Sequence, residues 1–158
     1  MIKEPIQSAD VFLGLSPSEL DIVEQKSVKR AFQRDEVIFR EGETGDKMYL
    51  ILKGVVEIWK SEGKAIKGSR LARLETGELF GEMSLFDKKP RSASAIASID
   101  EETTLLIWDE ETLDQLIQEH PRMANKIQNN IIKKISDRLR QADEAIHILL
   151  RSSQYTSL

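Results

Sequence analysis

The sequence contains no cysteine, only two histidines and four prolines, and aromatic residues make up 6% of its 158 positions. Without cysteine the chain can form neither a disulfide framework nor a thiolate metal site. His120 and His147 lie far apart and away from any carboxylate cluster with the spacing of a metal site. We therefore predict that the protein binds no metal ion and carries no cofactor.

Long hydrophobic runs are also absent. The longest apolar stretches are a few residues, such as residues 11–13, whereas about 20 apolar residues are needed to cross a bilayer. Residues 1–8 lack the apolar core of a secretory signal. These absences predict a cytoplasmic protein that does not insert into a membrane.

An excess of positive charge is missing as well, because 23 basic residues stand against 27 acidic ones. Domains that bind nucleic acid usually carry a basic excess on one face, so we expect no direct DNA binding. No nucleophile lies near a histidine in the sequence, and no glycine-rich phosphate loop is followed by a lysine. The chain is therefore predicted not to be an enzyme.

The composition, 40% hydrophobic and 32% charged, is that of a globular protein, and we predict one domain over residues 1–158. A helix over about residues 17–26 is indicated by Ser16 as N-cap, Pro17 in the first turn and Glu19 closing a capping box. Between residues 28 and 108 the pattern changes to short β-rich runs separated by glycine turns, which is typical of an antiparallel barrel or roll. The clearest runs are residues 37–39, 48–52, 55–59, 71–74, 93–99 and 104–108, and the longest predicted turn spans residues 61–68.

The C-terminal third is predicted to be helical over about residues 110–150, with an interruption at His120 and Pro121. Apolar residues then repeat at alternating spacings of three and four, the pattern of a two-stranded coiled coil. This predicted dimer seam consists of Ile132, Ile135, Leu139, Ala142, Ile146 and Leu149. A second stripe of Ile127, Ile131 and Ile135 is placed to pack on the β-rich region. We expect a homodimer through this helix; the alternative is an amphipathic core helix within a monomer.

The most specific passage reads F-G-E-M-S-L over residues 80–85 and, after a short polar loop, P-R-S-A-S-A over residues 90–95. Gly81 is placed at a strand-to-helix turn, where backbone N–H groups favour an anion, and Arg91 adds a planar cationic donor group. Glu82 cannot bind phosphate and is suited to hydroxyl groups. The passage therefore predicts a site for a small phosphorylated sugar.

In this order and spacing the two motifs resemble the phosphate-binding cassette of the cyclic-nucleotide-binding domain family, to which the catabolite activator protein and the regulatory subunit of protein kinase A belong. Residues 41–54 resemble the family's strand, turn, strand segment, and the likeness extends over roughly residues 10–150. The resemblance implies an α+β fold: an antiparallel eight-stranded β-roll, like a jelly-roll barrel, with an N-terminal helix and a long C-terminal helix.

By this resemblance, Glu82 accepts the ribose 2′-hydroxyl, Arg91 pairs with the cyclic phosphate, and Gly81 and Ser92 help to surround the phosphate. The implied ligand-binding residues are Phe80, Gly81, Glu82, Met83, Ser84, Arg91, Ser92 and Ala93. Candidates for capping the base from the long helix are Arg138, Ala142 and Asp143. No catalytic residue is among them.

The resemblance implies a stand-alone cyclic-nucleotide sensor for cyclic AMP, with cyclic GMP as the other candidate ligand, which acts on an unidentified effector protein through its C-terminal helix. A second hypothesis is a dimeric scaffold whose pocket is empty. A third is a DNA-binding regulator. It is the least favoured, because transcription factors of the family carry a helix-turn-helix after the long helix, where this chain has only residues 151–158.

Overall fold

The computed structural model describes residues 3–155 and the side chains of residues 5–152, so residues 1, 2 and 156–158 of the predicted domain lie outside the described residues. The helices are α1 (Lys3–Ser8), a 3-10 helix (Asp10–Phe12), α2 (Pro17–Gln25), α3 (Glu82–Asp87), α4 (Glu110–Glu119) and α5 (Pro121–Tyr155). The strands are β1 (Val28–Phe32), β2 (Val37–Phe39), β3 (Lys47–Lys53), β4 (Val56–Glu62), β5 (Ala65–Leu74), β6 (Leu79–Phe80), β7 (Ser94–Ala97) and β8 (Thr103–Asp109). The single-domain assignment stays a prediction.

The eight described strands form two four-stranded sheets, with the orders β1-β8-β3-β6 and β2-β7-β4-β5. All the strand pairs are antiparallel. Helices flank the sheets on the N-terminal side and on the C-terminal side, where α5 extends over 35 residues. The predicted α+β fold, an eight-stranded antiparallel roll with a long C-terminal helix, is confirmed.

Two strands fall outside the runs that the sequence pattern indicates. Strand β1 is exposed at every position except Phe32, so it lacks the alternation that marks a half-buried strand. Strand β6 has only two residues and is defined by its pairing with Tyr49 and Leu50 of β3. A turn is present within the predicted range 61–68, but that range is too long, because β4 and β5 continue as a hairpin that turns at residues 63–64. The φ angle of Gly63 is 59°.

Strand β3 is buried on both faces and divides the core into two clusters. Met48, Leu50 and Leu52 pack with the helices, whereas Tyr49 and Ile51 face the interior of the roll, as expected when successive strand residues point to opposite sides. The helical layer therefore has a hydrophobic core of its own, continuous with one side of the sheet.

The predicted start of α2 is present in the structure. The Ser16 hydroxyl accepts a hydrogen bond from the Glu19 N–H at 3.2 Å, and the Ser16 N–H donates to the Glu19 carboxylate at 2.7 Å. Lys126 of α5 pairs with the same carboxylate at 2.9 Å. The Ser16 N–H and then Lys126 lower the pKa of Glu19. This contact ties α2 to α5.

Helix α5 uses one of its apolar stripes within its own domain. Ile127 and Ile131 are buried in the helical core and Ile135 packs against it, as predicted for this stripe. From residue 139 to residue 152 every described side chain on α5 is exposed, so the C-terminal half of the helix extends beyond the roll. In residues 3–155 no helix combines the length and the apolar character that crossing a membrane requires.

Replacing Ile131 by alanine should lower the free energy of unfolding by about 2–5 kcal/mol, because it opens a cavity in the core between α5 and the roll. Ile131 is 3% exposed. Ile148 on the same helix is 56% exposed, so Ile148→Ala should change the free energy by no more than about 0.5 kcal/mol. Urea unfolding of both variants provides the measurement, and equal losses would show that this stripe does not anchor the helix.

Candidate ligand-binding site

A cavity of about 920 Å³ opens between α3, strand β5 and helix α5, within the range of about 300–1,000 Å³ that is typical of small-molecule sites. The residues of the predicted cassette that line it are Phe80, Gly81, Glu82, Met83, Ser84, Arg91, Ser92 and Ala93. Of the three predicted capping residues, Arg138 and Ala142 line the cavity and Asp143 does not. The fold thus brings two distant parts of the sequence to one cavity.

Gly81 forms the sharp turn between β6 and α3. Its φ of 76° lies in the left-handed region, which favours glycine. A Cβ atom here would also lie 3.0 Å from Arg91 Nη1 and 3.0 Å from Tyr49 Cδ2. Glycine is therefore required both by the backbone conformation and by the close approach of the arginine.

Arg91 is 4% exposed and is held from several sides. Its Nη1 donates to the carbonyl of Gly81 at 2.6 Å and its Nη2 to the carbonyl of Lys47 at 2.8 Å. The guanidinium carbon lies 4.1 Å from the centre of the Phe39 ring, a distance at which a cation and an aromatic face attract each other. The arginine is therefore part of the packed interior and is not exposed to bulk solvent.

This buried cation has no carboxylate within 4.0 Å among the residues that the structure describes. The two hydrogen bonds use two of the five N–H groups of Arg91. Its Nε is buried, and no described residue accepts a hydrogen bond from it. Burial lowers the pKa of Arg91, and the nearby Tyr49 and Asp46 partly oppose that shift. An unpaired buried charge is costly, so the site is suited to an anion.

Glu82, the first residue of α3, is 2% exposed and is paired with the long helix. Its Oε1 accepts a hydrogen bond from Arg138 Nη1 at 2.9 Å, and Arg138 Nη2 donates to the carbonyl of Leu79 at 2.9 Å. No described residue donates to Oε2 of Glu82. One carboxylate oxygen is therefore left to accept a hydroxyl group, and α5 is connected directly to the cassette.

A second cation stands near this pair. The Lys134 side chain is 16% exposed, and its ammonium lies 3.9 Å from Glu78. Burial lowers the pKa of Lys134, and the neighbouring Arg138 lowers it further. Charges of both signs therefore line the α5 side of the cavity, whereas no described carboxylate pairs with Arg91.

Sequence reasoning missed several residues that hold the arginine: Phe39, Gly45, Lys47 and Tyr49. All except Phe39 lie in the segment 41–54. The resemblance of this segment to the family was the sequence signal that could have indicated them. The pattern does not show that the backbone carbonyl of Lys47 and the ring of Phe39 contact Arg91, because those contacts join residues more than 40 positions apart.

The chain is similar to parts of several larger proteins, among them a receptor protein and an ion channel. The Cyclic AMP receptor protein of Thermus thermophilus is 35% identical over 144 residues, an alignment that covers 91% of this chain and 63% of that protein. The human potassium/sodium hyperpolarization-activated cyclic nucleotide-gated channel 2 is 29% identical over 150 residues, covering 95% of this chain and 16% of the channel. The chain thus spans less than two thirds of the length of either protein.

A solved structure of a cyclic nucleotide-binding domain from Methylobacillus flagellatus superposes with a TM-score of 0.78 at 29% identity, covering 92% of this chain and 80% of that one. Residues 29–120, more than half of the chain, match the family model described as the cyclic nucleotide-binding domain. The resemblance that the two cassette motifs indicate is confirmed: the chain belongs to the cyclic nucleotide-binding domain family.

Proposed function

We propose that this chain is a sensor that binds cyclic AMP and transmits binding through α5 to a partner protein. One observation carries the proposal. Arg91 is a buried cation without a carboxylate partner among the described residues, and it lines a cavity beside a family cassette. A cyclic phosphate supplies the missing negative charge and accepts hydrogen bonds from the N–H groups of Arg91 that have no acceptor in the protein.

The two ends of the proposed ligand meet different groups. The phosphate lies against Arg91, with Gly81, Ser84 and Ser92 around it, and the ribose 2′-hydroxyl donates to Oε2 of Glu82. These assignments are supported by the cavity that the residues share and by the free oxygen of Glu82.

The base is proposed to lie between β5 and α5. Leu71 and Ala72 of β5 and Ala142 of α5 line this part of the cavity and offer apolar surface to a purine. Asp143 does not line the cavity, so we exclude it from the proposed cap. The name of the Thermus thermophilus relative supports cyclic AMP as the ligand, and cyclic GMP is the alternative.

Transmission is proposed to depend on Arg138. This residue joins α5 to Glu82 and to the carbonyl of Leu79, so a ligand that engages Glu82 changes the contacts that hold the helix. A ligand shifts the position of α5 only by the difference in its affinity for the two arrangements. The proposed role is therefore regulation through binding and not catalysis.

The output surface is proposed to be the exposed face of α5, where a second copy of the chain pairs with it. Ile132, Leu139, Ile146 and Leu149 of the predicted seam are all more than half exposed, and their spacing fits a coiled coil. Ile135 differs from them because it also packs against its own core. The paired helices would present the effector protein with a surface that depends on the ligand.

Wild-type protein should be stabilised by about 2.7 kcal/mol when cyclic AMP is present at 100 times its dissociation constant. For a chain of this size that corresponds to a rise in melting temperature of about 5–11 °C. Thermal denaturation with cyclic AMP, cyclic GMP and AMP measures the effect. If none of them shifts the transition, the sensor proposal fails and a dimeric scaffold with an empty pocket is favoured.

Arg91→Ala should abolish the shift produced by cyclic AMP and should also lower the free energy of unfolding by about 1–3 kcal/mol, because it leaves buried carbonyl groups without a donor. Arg140→Ala, at an exposed position of α5, is the control and should retain both properties. Calorimetric titration and urea unfolding separate the two effects, and unchanged affinity in Arg91→Ala would refute the role of the arginine.

Leu139→Asp should dissociate the proposed dimer, since it places a charge in a seam that loses its water on pairing. Leu139 is 61% exposed in the single chain, so the fold of the monomer should survive. Arg140→Asp puts the same carboxylate one position away, outside the seam, and should remain dimeric. Sedimentation velocity measures the oligomeric state of both variants. Equal sedimentation coefficients for the two would contradict the predicted seam.

A further inference from the structure

The loop between β2 and β3 packs directly against the cassette. We propose that Gly45 in this loop is a positioning residue of the nucleotide site: because it has no side chain, Ser84 and Arg91 can occupy the positions in which they meet the phosphate. This inference rests on the proposed function and adds a residue that contacts no ligand itself.

The space at Gly45 is already filled by the cassette. A Cβ atom there would lie 2.3 Å from Ser84 Cβ, 2.9 Å from Ser84 Oγ and 2.9 Å from Arg91 Nε. Gly45 is not among the glycines with a positive φ angle, so a left-handed backbone is not the reason for glycine here. What requires glycine at this position is the contact with the cassette.

The neighbouring atoms have little freedom to yield. Hydrogen bonds from Gly42 N–H to the Arg91 carbonyl and from Arg91 N–H to the Glu43 carbonyl, both 2.8 Å, join the loop to the arginine backbone. The Arg91 guanidinium is fixed by two carbonyls and by the Phe39 ring. Ser84 Cβ is attached to the backbone of α3. A methyl group at position 45 must therefore separate the loop from the cassette or displace Arg91 Nε.

The displaced atom matters for binding, because Nε is the buried donor that has no partner in the described residues. Gly63, in the turn between β4 and β5, serves a different purpose. Gly63 has a φ of 59°, and no atom lies within 4 Å of a Cβ built there. A substitution at Gly63 strains a distant turn and leaves the cassette untouched.

The test compares Gly45→Ala with Gly63→Ala by calorimetric titration with cyclic AMP and cyclic GMP. Gly45→Ala should weaken binding about 10- to 100-fold, the value of one charge-assisted hydrogen bond. Gly63→Ala should melt at a lower temperature and bind with wild-type affinity. Wild-type affinity in Gly45→Ala would overturn the proposal, since it would show that Gly45 serves the fold only.

Two further measurements distinguish positioning from a loss of stability. The side-chain ¹H–¹⁵N resonance of Arg91 Nε, recorded without ligand, should move in Gly45→Ala and stay in place in Gly63→Ala. In a Ser84→Gly background, which removes the nearest atom, Gly45→Ala should cost less affinity than in the wild type. Full additivity of the two substitutions would count against the contact.

The failure of this inference can be told apart from failure of the proposed function. If the wild type binds no cyclic nucleotide, the sensor proposal is wrong, yet the Arg91 resonance still shows whether Gly45 positions the guanidinium. An unmoved resonance in Gly45→Ala would overturn the positioning role.

Discussion

A single buried guanidinium is the constraint around which the site is arranged. Arg91 is desolvated, and carbonyl dipoles and an aromatic face compensate it only in part. The surrounding backbone satisfies this constraint by using glycine where a side chain would collide, at Gly81 and Gly45. Because the positive charge of Arg91 is compensated only in part, the cavity is suited to an anionic ligand.

The cassette also contains a buried negative charge, the carboxylate of Glu82. Glu82 is as deeply buried as Arg91, but it is paired with Arg138 of the long helix. A buried carboxylate with one paired oxygen and one free oxygen can accept a hydroxyl group, and its pairing with Arg138 offsets its negative charge. The same ion pair joins α5 to the cassette.

Helix α5 extends from the cassette to the outside of the molecule, and its two halves differ in burial. Its first half packs into a core shared with α2, α4 and strand β3, where Ile127 and Ile131 are buried. Its second half is exposed through residue 152. The helix is therefore anchored through its first half, and its exposed second half is available to the proposed partner. Lys126 and Glu19 attach the N-terminal helices to the anchored end.

The sequence alone determined the features that depend on neighbouring residues: the capping box of α2, most of the strands, the long helix and the cassette with Gly81, Glu82 and Arg91. These can be read because local backbone preferences and side-chain spacing act over a few positions. Strands β1 and β6 could not be read, because they exist through pairing with β8 and β3 and have weak patterns of their own.

Which groups meet depends on how the chain packs. The pairing of Glu82 with Arg138 joins residues 56 positions apart, and the contacts of Arg91 with Lys47 and Phe39 depend on how the sheets close. Gly45 lies between β2 and β3, and only the packed structure shows that Ser84 and Arg91 occupy the space that a Cβ atom at this position would need. Burial, the distance between charges and steric space are properties of the packed chain, and they determine the chemistry of the cavity.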